Sequence, residues 1–209
     1  MTDDRFDSPY PRYDVLEKWD TPSYNDQTRE ALAKRMDEVP PRRFFTAAEF
    51  TTLQAVCARV VPQPGRAAPV PIAPFIDSDL HAGRGTGTRY AAMPDDRTAW
   101  RQGMAAIDAE AKARHGSTFA ELADAQQDSI LSAINQGECA ASGAWRDLPA
   151  QDFFRKLLLK WIVSVYYVHP AAMSEIGYGG PASPRGYVRL GPNEADPWEA
   201  PLSEKGARQ

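Results

Sequence analysis

Eighteen prolines punctuate the 209-residue chain, and their positions decide where a helix of any length can form. Proline lacks a backbone N–H and its ring clashes with the preceding turn, so a helix tolerates it only near its start. Pro94 and Pro149 bracket a long proline-free stretch, whereas Pro9, Pro11 and Pro22 interrupt the N-terminus and Pro62, Pro64, Pro69, Pro71 and Pro74 crowd one short tract. The last 41 residues carry six prolines and six glycines. Of 37 Leu, Ile, Val and Phe residues, 28 lie between residues 44 and 168. The material for a core is therefore central. The ends are poor in aliphatics yet hold Tyr10, Tyr13, Trp19, Tyr24, Tyr178, Tyr187 and Trp198. Large aromatics are scarce in segments that stay solvated, and the net charge is only −4, so the ends read as arms that dock on a surface.

The hydrophobic period between the prolines is helical. Asn25 or Asp26 can cap a short helix with Leu32, Met36 and Val39 on one face, stopped by Pro40 and Pro41. Thr46 and Glu49 have capping-box spacing, and Phe45 and Phe50 occupy the positions of a hydrophobic staple, so a helix begins at Ala47. Its apolar face is Phe50, Leu53, Val56, Cys57 and Val60. A short helix over Phe75 to His81 precedes the turn GRGTG. Two helices separated by Gly116 follow, one with Trp100, Met104, Ile107 and Ala111 in line, the other with Ile130, Leu131 and Ile134 and a start capped by Asp124 and Gln127. Pro149 suits the first position of a last helix, FFRKLLLKWIVSVYYV, apolar on nearly every side. No strand-like alternation of useful length occurs. The expected class is all-α: a single helical bundle-like domain with extended, Pro/Gly-rich N- and C-terminal arms. Residues 1–43 form the N-terminal arm with one short helix, 44–168 the helical core and 169–209 the C-terminal arm.

Several functions are disfavoured by composition and spacing. A pI near 5.4 without a Lys/Arg cluster argues against nucleic acid. Phe153 to Val168 is apolar but contains Arg155, Lys156 and Lys160 and falls short of the roughly 20 residues that span a bilayer, so no membrane span is expected. The acidic, proline-containing start is unlike a secretory signal, and Arg42–Arg43 precede a tract too polar for a twin-arginine signal. A cytoplasmic location follows as the expectation, with a periplasmic one open if the chain is exported with a partner. Cys57 and Cys139 have no metal-ligand spacing, and Cys57 on an apolar helix face reads as a buried free thiol. His81, His115 and His169 stand far apart with no nucleophile signature around them. The glycines of GRGTG and GYGG lack the strand-then-helix context of a dinucleotide site. No catalytic, cofactor-binding or metal-binding residue is assigned.

The segment HPAAMSEIGYGGPASPRGYVRLGPNEADPWEA remains. Arg and aromatic side chains dominate interface energetics, so the candidate partner-interface residues are Tyr10, Tyr13, Trp19, Tyr178, Arg185, Tyr187, Arg189 and Trp198. A wrap of the arms over the chain's own helices is the alternative, and the residues alone leave both open.

HPAAMSEIGYGGPASPRGYVRL followed by DPWEA resembles the C-terminal signature of the gluconate 2-dehydrogenase subunit 3 family. YPRYDVLEKWDTPSYNDQTREAL is similar to the N-terminal stretch of members without signal peptides, and FTAAEFTTLQAVCARVVP resembles their first core helix. The resemblance implies a small, non-catalytic subunit whose large partner is an FAD-dependent oxidoreductase of the glucose-methanol-choline type, acting on a sugar, sugar acid or glycoside. FAD and the catalytic histidines would belong to that partner, and some complexes add a multihaem cytochrome c subunit. Glu175, Gly177, Tyr178, Gly179, Gly180, Pro181, Pro184, Arg185, Gly186 and Tyr187 carry over as structural or interface residues. Members often have Trp where this chain has Met173. The competing readings are a self-sufficient sugar-modifying enzyme using the dispersed histidines and a stand-alone helical binding module.

Overall fold

Capping chemistry and proline positions account for most of the helix boundaries in the computed structural model, which describes residues 8–85, 90–180, 191, 192, 194 and 199–201. Helix α1 (Asp26–Asp37) starts where Asn25 Oδ1 accepts the Thr28 N–H. The full capping box of Thr46 and Glu49 opens α2 (Ala47–Val60). Helix α3 spans Ile72–His81, three residues longer at its start than the proline spacing suggests. Pro74 sits in its first turn, where the missing N–H would have had no intrahelical partner. Asp95 caps α4 (Asp96–His115), and Gly116 closes it at φ +77. A 3₁₀ turn (Phe119–Glu121) leads to α5 (Asp124–Gln136), closed by Gly137 at φ +80. The expected cap of α5 differs: Ala123 is the N-cap, with its N–H bonded to Gln126, while Gln127 is buried and donates to Phe119 O.

Short α6 (Ser142–Trp145) precedes a continuous run of α7 (Ala150–Asp152), a π-helical turn (Phe153–Leu158) and α8 (Leu159–Tyr167). Pro149 is its N-cap, one position before the expected N1. This run is not apolar all round, because Arg155, Lys156, Leu159 and Lys160 face solvent while Phe153, Leu157, Leu158, Trp161 and Ile162 are buried. Helix α9 (Pro170–Glu175) follows with Pro170 at N1, so the C-terminal arm begins with six helical residues. The described residues contain no strand, and the fold is all-α.

The chain divides into two compact units. One is drawn from residues 1–39, 64–70 and 166–209, the other from 40–63 and 71–165. In the second unit α2 packs on α3, α4 and α5 around Leu53, Ile76, Met104, Ile107, Ile130 and Ile134, all fully buried. Trp100 anchors an aromatic cluster there, edge-on to Phe45 at 6.3 Å, Phe153 at 5.8 Å and Trp161 at 5.7 Å. Gly103, one turn along α4, leaves the space that the Phe153 ring fills. The second unit also buries two carboxylates with complete partner sets. Asp77 accepts the N–H groups of Arg43, Phe44 and Phe45. Glu110 accepts from Ala140 N, Ala141 N and Trp145 Nε1 and pairs with Arg114. Burial alone would raise the Glu110 pKa, but these hydrogen bonds outweigh it and hold it below the ordinary range.

Candidate partner-docking site

The first unit is built by the two arms gripping one another. Asp14 caps a 3₁₀ turn (Val15–Lys18) that places Val15 in a small core with Tyr24 and Leu32, flanked by Tyr13, Leu16, Trp19 and Met173. Ser174 Oγ accepts the Val15 N–H at 3.0 Å, and Tyr24 Oη donates to Val15 O at 3.2 Å. Tyr13 Oη donates to Tyr178 O at 2.7 Å and receives Lys18 Nζ at 2.8 Å; Lys18 also donates to Gly179 O. Burial, then the neighbouring Tyr178 and Asp14, push the Tyr24 hydroxyl up to about 12, so it stays a donor across the physiological range.

The GYGG tract has a conformational reason. Gly177 takes φ +65 after α9, with Gly177 N bonded to Ser174 O and Tyr178 N to Met173 O, the two bonds of a Schellman closure. The Tyr10 ring occupies the place where a Cβ on Gly177 would stand, its Cδ2 being 2.7 Å from that point. Ser8 Oγ donates to Glu175 O beside it. Glu175 is paired with Arg66 and accepts Tyr166 Oη at 2.6 Å. His169 Nδ1 accepts the Ala171 N–H as the cap of α9. Burial first, then the charges of Arg66 and Arg35, hold its pKa below the usual value.

Among its exposed residues this unit has several large apolar side chains. Tyr178 is 42% exposed, Ile176 41%, Val168 40%, Tyr167 41% and Val39 54%. Tyr178 also borders a groove of about 370 Å³ walled by Tyr24, Thr28, Leu32, Arg35 and Met173. Val39 was expected on the buried face of α1; the helix ends at Asp37, two residues short of it, and leaves it in solvent.

The expected interface residues separate accordingly. Tyr10, Tyr13 and Trp19 are partly buried within their own unit, where they join the arms, and Tyr178 is the one of the described set with an open face. Arg185, Tyr187, Arg189 and Trp198 lie outside the described residues, as do Pro181, Pro184 and Gly186. Sequence reasoning passed over Ile176, Tyr167 and Val168, because an apolar residue at a helix end carries no mark of which way it faces.

Three groups that catalysts often use are buried or bonded within the second unit. Cys57 is buried, which raises its thiol pKa, and Asp77 and Glu110 are saturated with donors. His81 and His115 are exposed; His115 stands 3.3 Å from Gln126. Among the described residues no group of three His, Cys, Asp or Glu could hold a metal ion, and no helix is long and apolar enough to cross a membrane.

The family model for gluconate 2-dehydrogenase subunit 3 matches residues 47–180, more than half of the chain. The chain belongs to the gluconate 2-dehydrogenase subunit 3 family. No curated protein and no solved structure matches it. The match runs from Ala47, the first residue of α2, to the glycines that follow α9, so Glu175, Gly177, Tyr178, Gly179 and Gly180 are inside it, and the N-terminal arm they bind is outside. A family defined by a subunit of a multi-subunit dehydrogenase implies protein partners.

Proposed function

We propose that this gluconate 2-dehydrogenase subunit 3 protein is the non-catalytic small subunit of an FAD-dependent oxidoreductase complex that oxidises a sugar, sugar acid or glycoside. Its partner on this reading is a large flavoprotein of the glucose-methanol-choline type, which holds FAD and does the chemistry; a cytochrome c subunit is a further member in some complexes. The observation that carries the reading is the set of half-exposed apolar side chains on the first unit, Tyr178 and Ile176 after α9 and Tyr167 and Val168 at the end of α8, beside arms joined to each other by hydrogen bonds such as Tyr13 Oη to Tyr178 O and Val15 N to Ser174 Oγ. Exposed aromatic and aliphatic side chains backed by a pre-formed scaffold lose little conformational freedom on binding, which favours association.

A subunit that binds only the folded flavoprotein stabilises it by mass action, by about 2.7 kcal/mol when present at 100 times its dissociation constant. Co-expression tests this. The flavoprotein made with the small subunit is expected to show higher yield, FAD content and dehydrogenase activity than the flavoprotein made alone, and identical values in the two preparations would reject the proposal.

A further inference from the structure

A different surface, on the second unit, holds a strained arginine beside a groove. Among the described residues Arg146 is the sole non-glycine residue at positive φ, at φ +48 and ψ −118. Leu148 N donates to Trp145 O at 2.8 Å across it, so Arg146 occupies the first central position of a type II′ turn, a place that suits glycine. The neighbours impose this conformation. Trp145 and Leu148 are both buried, Trp145 Nε1 is bonded to Glu110, and Trp145 O also accepts from Gln102 Nε2.

The strained residue borders a groove of about 470 Å³ shared with Thr98, Arg101, Gln102, Gly143 and Ala144. Arg101 is fixed there by Phe44 O, by Glu49 at 3.2 Å and by the Phe44 ring at 4.4 Å, so its charge is held in place. Arg146 is exposed and has no hydrogen bond or ion pair among the described residues. No carboxylate lines the groove. Gly143 has open space where a Cβ would stand, which lets a peptide backbone approach.

We infer that this groove takes an extended acidic segment of a partner polypeptide, with the Arg146 guanidinium receiving a carboxylate beside the Glu49-held Arg101. The inference rests on the subunit reading for the partner's existence, but the charge and geometry of the groove stand apart from it. Backbone strain persists where surrounding structure enforces it and concentrates at binding sites. The unpaired Arg146 guanidinium complements an anion, with Arg101 beside it only partly neutralised by Glu49, and arginine's planar fork matches a carboxylate with two parallel bonds.

The test titrates the full-length protein at low salt with a fluorescein-labelled Gly-Glu-Ala-Glu-Gly peptide and with its Gln counterpart, read by fluorescence anisotropy. Saturable binding of the Glu peptide alone is expected. Arg146→Gly is expected to weaken it at least tenfold while raising Tm by about 2–4 °C, because glycine relieves the turn. Arg146→Lys keeps a charge without the fork and is expected to fall between the two. Equal binding of both peptides, no saturable binding, or unchanged affinity in Arg146→Gly overturns the inference. If the peptide fails to bind while the flavoprotein still associates, the groove falls and the subunit reading stands; loss of flavoprotein association with peptide binding intact is the reverse.

Discussion

Replacing Gly103 by alanine should destabilise the protein, although helix propensity alone predicts the opposite. Gly103 lies inside α4, where alanine is favoured over glycine by about 0.8–1.0 kcal/mol. The Phe153 ring, however, occupies the position of the added methyl, with Cζ, Cε1 and Cε2 all in contact range. That ring has little room to move. It is fully buried, edge-on to Trp100 at 5.8 Å and tilted against Trp145 at 6.1 Å. Overpacking a tight core costs about 1–3 kcal/mol, and a clash with a whole ring lies at the upper end. The net loss is then about 2 kcal/mol, or a fall of about 4–8 °C in Tm for a chain of this size. Thermal and urea denaturation of Gly103→Ala, of Phe153→Leu and of the double variant measure it. The two changes should couple, the double variant being more stable than the sum of the singles by about 1 kcal/mol or more. A higher Tm in Gly103→Ala, or strict additivity, would refute the packing account.

Other perturbations separate fold from docking. Asp77→Ala strips the acceptor from three N–H groups at the start of α2 and should lower stability by about 2–5 kcal/mol, read as a fall in the urea midpoint at constant m-value. His169 is neutral-favoured in the fold, so the unfolded chain binds more protons as pH drops below its ordinary value near 6.5; stability should be full above that and decline on acidification. His169→Asn keeps a capping acceptor without the titration, and its Tm should lose less between pH 7.5 and 5.5 than the wild type's; parallel curves would dismiss the linkage. Ile176→Asp lies on an exposed face and should leave Tm within about 2 °C while reducing recovery of the flavoprotein in pull-down from the co-expressing host; unchanged recovery would move the interface elsewhere.

The local signals in the sequence were strong where the backbone's own needs are local. The Thr46–Glu49 box, the Asn25 cap and the glycines at 116 and 137 each satisfy groups within one helix turn, and each ended or began a helix as the residues indicate. The start of α3 and the cap of α5 were less legible, because Pro74 and Ala123 are compatible with more than one boundary. The arms show a different limit. Their aromatic content said that Tyr10, Tyr13 and Trp19 must bury against something, and the residues left both a partner and the chain's own surface open. In the described structure these three side chains pack within their own unit, and the open apolar faces belong to Tyr178, Ile176, Tyr167 and Val168.

By itself the sequence determined the all-α class and the positions of α1 to α5, since proline exclusion, capping and the 3.6-residue period act over a few residues and survive any tertiary arrangement, while the family rested on the resemblance of whole tracts. Only the tertiary structure decided that Asp77 and Glu110 are donor-saturated structural carboxylates, that Gly103 is a seat for Phe153, and that Arg146 is held in a glycine conformation beside a groove. Those facts join residues 30 to 50 positions apart, and a one-dimensional pattern carries no record of which distant backbone N–H or ring will be brought to a given side chain.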